Sequence, residues 1–183
     1  MIKNKTRYAI LGVLSVMPGS GYDIKKFCDQ SISHFWNENF GHIYPVLAQL
    51  EKEGLIEQEN KETNSRRKVY VITEQGREEF YAWMLQPVEY QPARSELLLK
   101  LFYGNFIEKD KIIALLTEFK KRKEEELVNY TAMEASYTNN EKAKEQSYYP
   151  YFLAPLRHGI ITVKANLAWC EETISSIKNH EAK

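Results

Sequence analysis

The chain has 183 residues, 43% of them hydrophobic, so it is long enough for one large domain or for two small domains. Its 25 basic and 25 acidic residues give zero net charge, which speaks mildly against nucleic-acid binding because that affinity depends on cationic side chains. No apolar run approaches the roughly 20 residues needed to cross a bilayer, and no secretory signal is recognisable. We therefore expect a cytoplasmic protein.

Two helices are predicted at the start of the chain. An apolar stripe within residues 7–17 predicts the first, and a proline-glycine pair ends it. Ser20, followed three residues later by the acidic Asp23, is typical of a capping box. We therefore expect a second helix that begins after Ser20 and ends near residue 31.

Residues 39–72 are the most informative stretch of the sequence. Four apolar residues at i, i+3, i+4 and i+7 predict a third helix with one buried face: Ile43, Val46, Leu47 and Leu50. We expect this helix to start near His42, because the first turn tolerates the missing N–H of Pro45. Gly54 is suited to the left-handed position just after the helix.

Two short strands are predicted next, over residues 55–59 and 67–73, on either side of a charged loop. Helix, turn, strand, basic loop and strand are the layout of a winged helix-turn-helix, which sets one helix in the DNA major groove and a hairpin against the backbone. The outward face of the third helix carries polar and aromatic side chains suited to base edges: His42, Tyr44, Gln49 and Lys52. A polar outer face is ordinary for any surface helix, so this pattern alone does not establish DNA binding.

The sequence then divides into two predicted domains. Thr73 caps a fourth helix, and prolines at positions 87 and 92 break the helical pattern. This break predicts a winged helix-turn-helix domain over residues 1–86 and an all-α dimerisation domain over residues 93–183. The fold class is thus mainly α, with a small β-hairpin wing.

Long helices alone are predicted in the second domain. The segment 95–106 is too apolar around its circumference for a solvent-facing helix, and residues 110–137 form a long helix. A polar link over residues 138–149 leads to the last helix, expected over residues 155–178. The charge run within residues 120–126 pairs its own opposite charges at i,i+4 and is interpreted as a solvated face.

The last helix carries a strict heptad row over three repeats. Its members are Leu156, Ile160, Val163, Leu167, Cys170, Ile174 and Ile177. The row can pack on the long helix of the same chain or on a helix of another chain. We favour contact between two chains, because a row of this length needs a long partner.

The segment Gly41–Ile56, with its Ile-Tyr-Pro core and trailing Gly-Leu-Ile, resembles the PadR family of transcriptional regulators. The match continues through Ser20–Ile24, residues 8–14 and 69–73, and Arg157-His158-Gly159. The long helical C-terminal part looks like the branch related to phenolic-acid-responsive repressors and virulence activators. The resemblance thus extends over nearly the whole chain.

This resemblance implies a homodimer that holds two winged-helix heads over a pseudo-palindromic operator. It implies regulation, usually repression, with release by a small molecule in some members. Family members often carry Lys or Arg where this chain has Ala48 and Gln49, so other cations must supply more of the phosphate contact. The DNA-binding residues expected on this basis are Lys5, Ser20, Tyr22, Lys25, Asn39, His42, Tyr44, Pro45, Gln49, Arg66, Arg67 and Lys68.

Two other functions are alternatives to DNA binding. An enzyme is not expected, because the four histidines accompany no nucleophile elbow, phosphate-binding glycine loop or metal-ligand spacing. No cofactor is expected, and the two cysteines are interpreted as buried thiols in a reducing compartment. A winged helix used only for protein contacts remains the alternative.

An aromatic effector pocket is a further hypothesis. Aromatic residues make up 13% of the chain, and they can line a pocket with a polar anchor or simply form core. The residues proposed for the pocket are Trp83, Tyr103, Tyr151, His158 and Trp169.

Overall fold

The structure of the chain, a computed structural model, describes residues 5–33, 35–59, 67–89 and 94–180. The chain divides into two compact units, residues 1–90 and residues 91–183. The described part of the first unit contains α1 (Thr6–Val16), α2 (Gly21–Ser31), α3 (Phe40–Lys52), β1 (Ile56–Gln58), β2 (Tyr70–Ile72) and α4 (Glu74–Met84).

The start of α2 is the predicted capping box. Ser20 accepts a hydrogen bond from the backbone N–H of Asp23, and the Asp23 carboxylate accepts one from the backbone N–H of Ser20 at 2.8 Å. Each side chain thus satisfies a helix-terminal donor that has no partner within the helix. The orientation of the first turn of α2 is fixed by this exchange.

The helix α3 begins earlier than predicted. Asn39 is its N-cap and accepts from the backbone N–H of His42 at 3.0 Å, so the helix starts at Phe40. Pro45 therefore lies in the second turn, and the expected start near His42 is wrong. The asparagine cap decides the boundary, because a side-chain acceptor there satisfies a free N–H. Gly54 follows α3 with a φ of 75°, as predicted.

The hairpin wing pairs β1 with β2 in antiparallel register, with Ile56 opposite Ile72 and Gln58 opposite Tyr70. Tyr70 also bridges to Gly19, which attaches the hairpin to the turn before α2. Thr73 caps α4, as predicted, by accepting from the backbone N–H of Gly76. Helix, turn and hairpin thus follow one another in the predicted order.

A single apolar core holds these elements together. The hydrophobic face predicted for α3 is buried against α1, α2 and the hairpin. The fully buried residues of this core include Ile10, Leu11, Ile24, Ile43, Leu47, Leu50 and Ile56. Burial of one face fixes which side of α3 is turned outward.

The second unit contains helices and a short 3₁₀ turn in its described part. These are α5 (Glu96–Phe102), the 3₁₀ turn (Gly104–Phe106), α6 (Lys109–Thr138), α7 (Glu141–Lys144) and α8 (Tyr149–Asn179). The predicted polar link is thus partly helical, because Asn140 caps the short α7. The last helix begins six residues before the predicted start at Pro155, and Pro150 lies in its first turn.

The heptad row of α8 faces α6 of the same chain. Leu156 and Ile160 pack with residues from the C-terminal half of α6, and Cys170 packs with Ile112 and Leu116 from its N-terminal half. Leu156, Ile160, Val163 and Cys170 are buried within the single chain, whereas Leu167, Ile174 and Ile177 remain partly exposed. The expectation that these seven residues form the contact between two chains stays a prediction.

Large apolar side chains remain exposed at the start of the second unit. They lie on α5 and the turn after it and comprise Leu98, Leu99, Phe102, Tyr103, Phe106 and Ile107. We call this set the α5 patch. Monomeric proteins rarely expose contiguous apolar patches of this kind without a use for them. None of the described helices is both long enough and apolar enough to span a bilayer.

Candidate nucleic-acid interface

The outward face of α3 is polar and aromatic, as predicted. Tyr44 is 54% exposed, and the side chains of His42, Pro45 and Gln49 also lie on the surface. The Phe40 and Tyr44 rings lie parallel, with centroids 5.9 Å apart. The face therefore offers imidazole, phenol and amide groups at the spacing of a helix, which suits hydrogen bonding to base edges.

A surface cavity of about 600 Å³ adjoins this face of α3. It is lined by the start of α2, by Tyr44 and by the strand that follows the wing loop. Its residues are Ser20, Gly21, Tyr22, Tyr44, Arg67, Lys68 and Tyr70. Five of the predicted DNA-binding residues, Ser20, Tyr22, Tyr44, Arg67 and Lys68, are thus brought together although they come from three separate stretches of sequence.

Arg67 is tied to the start of α2 within this cavity. Its guanidinium donates to both carboxylate oxygens of Asp23, and its Nε lies 3.4 Å from the Ser20 hydroxyl oxygen. The hydrogen bonds from Ser20 and then from Arg67 lower the pKa of the Asp23 carboxyl to about 2. A cation is therefore held beside a helix N-terminus, and such an end is itself favourable for anions.

Other predicted residues have structural partners in the first unit. Lys25 is paired with Asp29, Asn39 is the cap of α3, and Gln49 donates to Glu53 at 2.8 Å. Each lies on α2 or at α3, so each stays within the same region of the surface.

One predicted position lies away from this cavity, and another is outside the described residues. Lys5 pairs with Glu89 at 3.0 Å and lines a different cavity, beside Trp83, so its contact with DNA stays a prediction. Ion pairing to a residue beyond α4 draws its side chain away from α3. Arg66 lies outside the described residues.

Sequence reasoning missed three residues of this surface. Gly21 is one: a Cβ built there would lie 2.7 Å from Cε1 of Tyr44, so a larger residue would force the Tyr44 ring to shift. Tyr70 lines the cavity from β2, and Glu38 lies under His42. The Ser-Gly-Tyr order at the start of α2 is a usable signal for Gly21. The other two sit in segments whose sequence does not reveal which way they face.

The aromatic effector hypothesis is only partly consistent with the structure of the first unit. The rings of Trp83 and Tyr8 are stacked with centroids 4.4 Å apart. They line an apolar cavity of about 410 Å³ together with Phe27, Phe80 and Met84. This volume is suited to a small aromatic molecule.

The four effector residues predicted in the second unit do not form one pocket. Tyr151 and Trp169 are 18 positions apart on α8, which is about 27 Å along the helix axis at 1.5 Å per residue. Trp169 packs edge-on against Phe119, whereas Tyr103 belongs to the α5 patch and His158 is exposed. A continuous helix separates these rings too widely for one small ligand, so this grouping is corrected.

Comparisons with known proteins match both units. Residues 10–82 match the model of the transcriptional regulator PadR-like family, and residues 93–178 match the model named virulence activator alpha C-term. Negative transcriptional regulator PadR of Bacillus subtilis is 26% identical over 182 residues, covering 93% of this chain and 96% of that protein.

Solved structures share the fold along almost the whole chain. The PadR-like transcriptional regulator BC1756 of Bacillus cereus is 30% identical with a TM-score of 0.78, covering 96% of this chain and 99% of that one. The virulence activator AphA of Vibrio cholerae is 26% identical with a TM-score of 0.77, covering 94% and 97%.

Bacillus subtilis PadR has been solved with operator DNA, at 22% identity and a TM-score of 0.81, covering 94% of this chain and 98% of that one. It has also been solved with p-coumaric acid, at 22% identity, a TM-score of 0.78 and the same coverage. These two structures show a shared fold, and the predicted winged helix-turn-helix with a helical second part is confirmed. The family consists of regulators and not of enzymes, in agreement with the prediction. The chain belongs to the PadR-like family of transcriptional regulators.

Proposed function

We propose that this chain binds DNA in a sequence-specific manner and regulates transcription in the cytoplasm. The observation that carries the proposal is the single surface on which the outward face of α3 adjoins Ser20, Tyr22 and Arg67. A duplex that admits α3 to its major groove has phosphates on both sides of that groove. The operator complex of Bacillus subtilis PadR supports the proposal by fold.

The residues of the interface have two roles: some contact base edges, and others contact phosphates. His42, Tyr44 and Gln49 contact base edges, because they lie on the exposed face of a helix. Tyr22 and Arg67 contact phosphates, which fix the register without carrying sequence information. DNA affinity depends more on cationic side chains at the interface than on the net charge of the chain. The zero net charge is therefore compatible with DNA binding.

We also propose that the functional form is a homodimer on a pseudo-palindromic operator. Residues 1–86 act as the DNA-binding domain, and residues 93–183 hold the two chains together. The α5 patch is the surface that supports this proposal, since its apolar side chains lie exposed in a single chain. Two reading heads then contact half-sites about one helical turn of DNA apart, near 34 Å, or a multiple of it.

We further propose that the protein is a repressor and that a small aromatic molecule releases it from DNA. The relative in Bacillus subtilis is named a negative regulator, and its complex with p-coumaric acid indicates the chemical class. In this chain, the apolar cavity beside Tyr8 and Trp83 is the candidate site. Tryptophan fluorescence tests it: quenching by phenolic acids that is lost in Trp83→Leu supports the site. A flat response across these acids would set it aside.

A gel-shift experiment tests the central proposal. The full chain is incubated with DNA from upstream of its own gene and with a scrambled duplex of equal length. Preferential retention of the upstream DNA that weakens with added salt is expected. Failure to retain this or any neighbouring promoter would favour the alternative, a winged helix used for protein contacts.

A further inference from the structure

Glu38 is a buried carboxylate directly beneath the start of α3. Its side chain is 3% exposed and precedes the helix cap Asn39. It accepts hydrogen bonds from the indole N–H of Trp36 and from the hydroxyl of Thr6, the latter at 3.3 Å. Donors from α1 and from the segment before α3 thus hold the carboxylate in one place.

The imidazole of His42 lies over this carboxylate. Its Nδ1 is 3.5 Å from Oε2 of Glu38, while the side chain of His42 is 59% exposed. A bare nitrogen lone pair facing a carboxylate oxygen at this distance is repulsive, whereas an N–H there is attracted. The neighbouring carboxylate therefore favours the imidazole tautomer that carries its proton on Nδ1.

That tautomer decides what His42 offers to a ligand. With the proton on Nδ1, the other ring nitrogen, Nε2, has a free lone pair and accepts hydrogen bonds. In the major groove, the matching donors are the amino groups of adenine and cytosine. The opposite tautomer would donate from Nε2 and would match the acceptors of guanine and thymine, and also N7 of adenine.

We propose that Glu38 is a positioning residue that sets the base preference of His42 by fixing its tautomer. The inference rests on the proposed DNA-binding function of α3. Glu38 itself touches no DNA, because it is covered by Thr6, Trp36 and His42. Its effect is transmitted only through the protonation pattern of the imidazole.

The first test is made on the free full-length chain and needs no DNA. Long-range ¹H–¹⁵N spectra at pH 8.5, where an ordinary histidine is neutral, report which ring nitrogen carries the proton. The resonances of His42 are identified by their loss in His42→Gln. A mainly Nδ1–H tautomer in the wild type supports the proposal. A mainly Nε2–H tautomer would overturn it, whatever the variants do.

Glu38→Gln tests the cause of the tautomer. The amide has the same shape, and with its oxygen toward Trp36 it presents an N–H to Nδ1 of His42. We expect the His42 tautomer to switch to Nε2–H while the thermal midpoint shows that the chain remains folded. Glu51→Gln is the control, because it removes an equal charge near the end of α3, where Glu51 accepts from Gln58.

The second test is selection from a random DNA library with both variants and the wild type. At one position of each half-site, Glu38→Gln should shift the preference from cytosine toward guanine or thymine by about tenfold, whereas adenine, which presents both an amino group and N7, should change less. Glu51→Gln should retain the wild-type preference. An unchanged preference in Glu38→Gln would overturn the role of Glu38 alone. Failure of the wild type to select any sequence would overturn the proposed function itself.

Discussion

Arg67 and Asp23 are joined by two hydrogen bonds although they are 44 positions apart in the chain. The pair connects the segment just before β2 to the first turn of α2. It also places a guanidinium at a helix end where backbone N–H groups already favour anions. A DNA phosphate that approaches this end meets the arginine and the helix together.

Replacing Arg67 with Ala should weaken binding to all DNA sequences alike. The lost group contacts a phosphate in the proposed complex, so the slope of log affinity against log salt should fall by about one unit. Fluorescence anisotropy at several salt concentrations measures this slope. Arg77→Ala, at an exposed arginine of α4, is the charge-matched control. An unchanged slope in Arg67→Ala would remove Arg67 from the interface.

Lowering the pH should remove the contribution of the Asp23 carboxylate to the stability of the folded chain. Its pKa in the folded chain is about 2, below the ordinary value of 3.8, so as the pH falls the unfolded chain takes up the proton first. The stabilisation is therefore complete above about pH 4 and is lost as the pH falls toward 2. Urea unfolding of the wild type and Asp23→Asn should differ at pH 6 and converge near pH 2. A difference that stays constant over this range would contradict the assignment.

Local signals were sufficient to predict much of the first unit. Ser20 with Asp23, Gly54 and Thr73 each determine a boundary through one short-range hydrogen bond or one backbone angle, and each prediction is confirmed. The start of α3 differs from the prediction because the side-chain cap at Asn39, and not the missing N–H of Pro45, sets this boundary. The contact between Arg67 and Asp23 depends on the folded positions of separate segments, which no local pattern encodes.

Leu116 on α6 should be essential to the stability of the second unit. It is fully buried beside Cys170 of α8, so Leu116→Ala removes three carbon atoms and leaves a cavity. We expect the free energy of unfolding to fall by about 2–5 kcal/mol. Urea unfolding followed by circular dichroism measures this change. Val128→Ala, at an exposed position on the same helix, should change it by less than about 0.5 kcal/mol.

Phe102→Asp should separate the proposed homodimer without unfolding the chain. Phe102 is 79% exposed in the single chain, so the aspartate is solvated in the monomer. In a dimer formed through the α5 patch, the same carboxylate would be buried without a partner at a cost of several kcal/mol. Sedimentation equilibrium should show a monomer with an unchanged thermal midpoint. Tyr151→Asp, at a similarly exposed aromatic of α8, should remain dimeric.

The second unit shows where a sequence pattern is ambiguous. The heptad row of α8 predicted a long helical partner, but periodicity does not state whether that partner is in the same chain. The structure shows that α6 fills this role for Leu156 and Cys170. The excess of leucine in α5 predicted burial, and the single chain leaves Leu98 and Leu99 exposed. The two observations together add α5 to the surfaces proposed for the dimer contact.

The absence of a side chain at Gly21 has a consequence for altering the specificity of this protein. The Tyr44 ring packs directly against the backbone of Gly21, in the space that a methyl group on residue 21 would occupy. The first turn of α2 therefore limits how far this ring can move toward the protein. Engineering of new operator preferences should therefore vary His42 and Gln49 together with their partners Glu38 and Glu53, and leave Gly21 and Tyr44 unchanged.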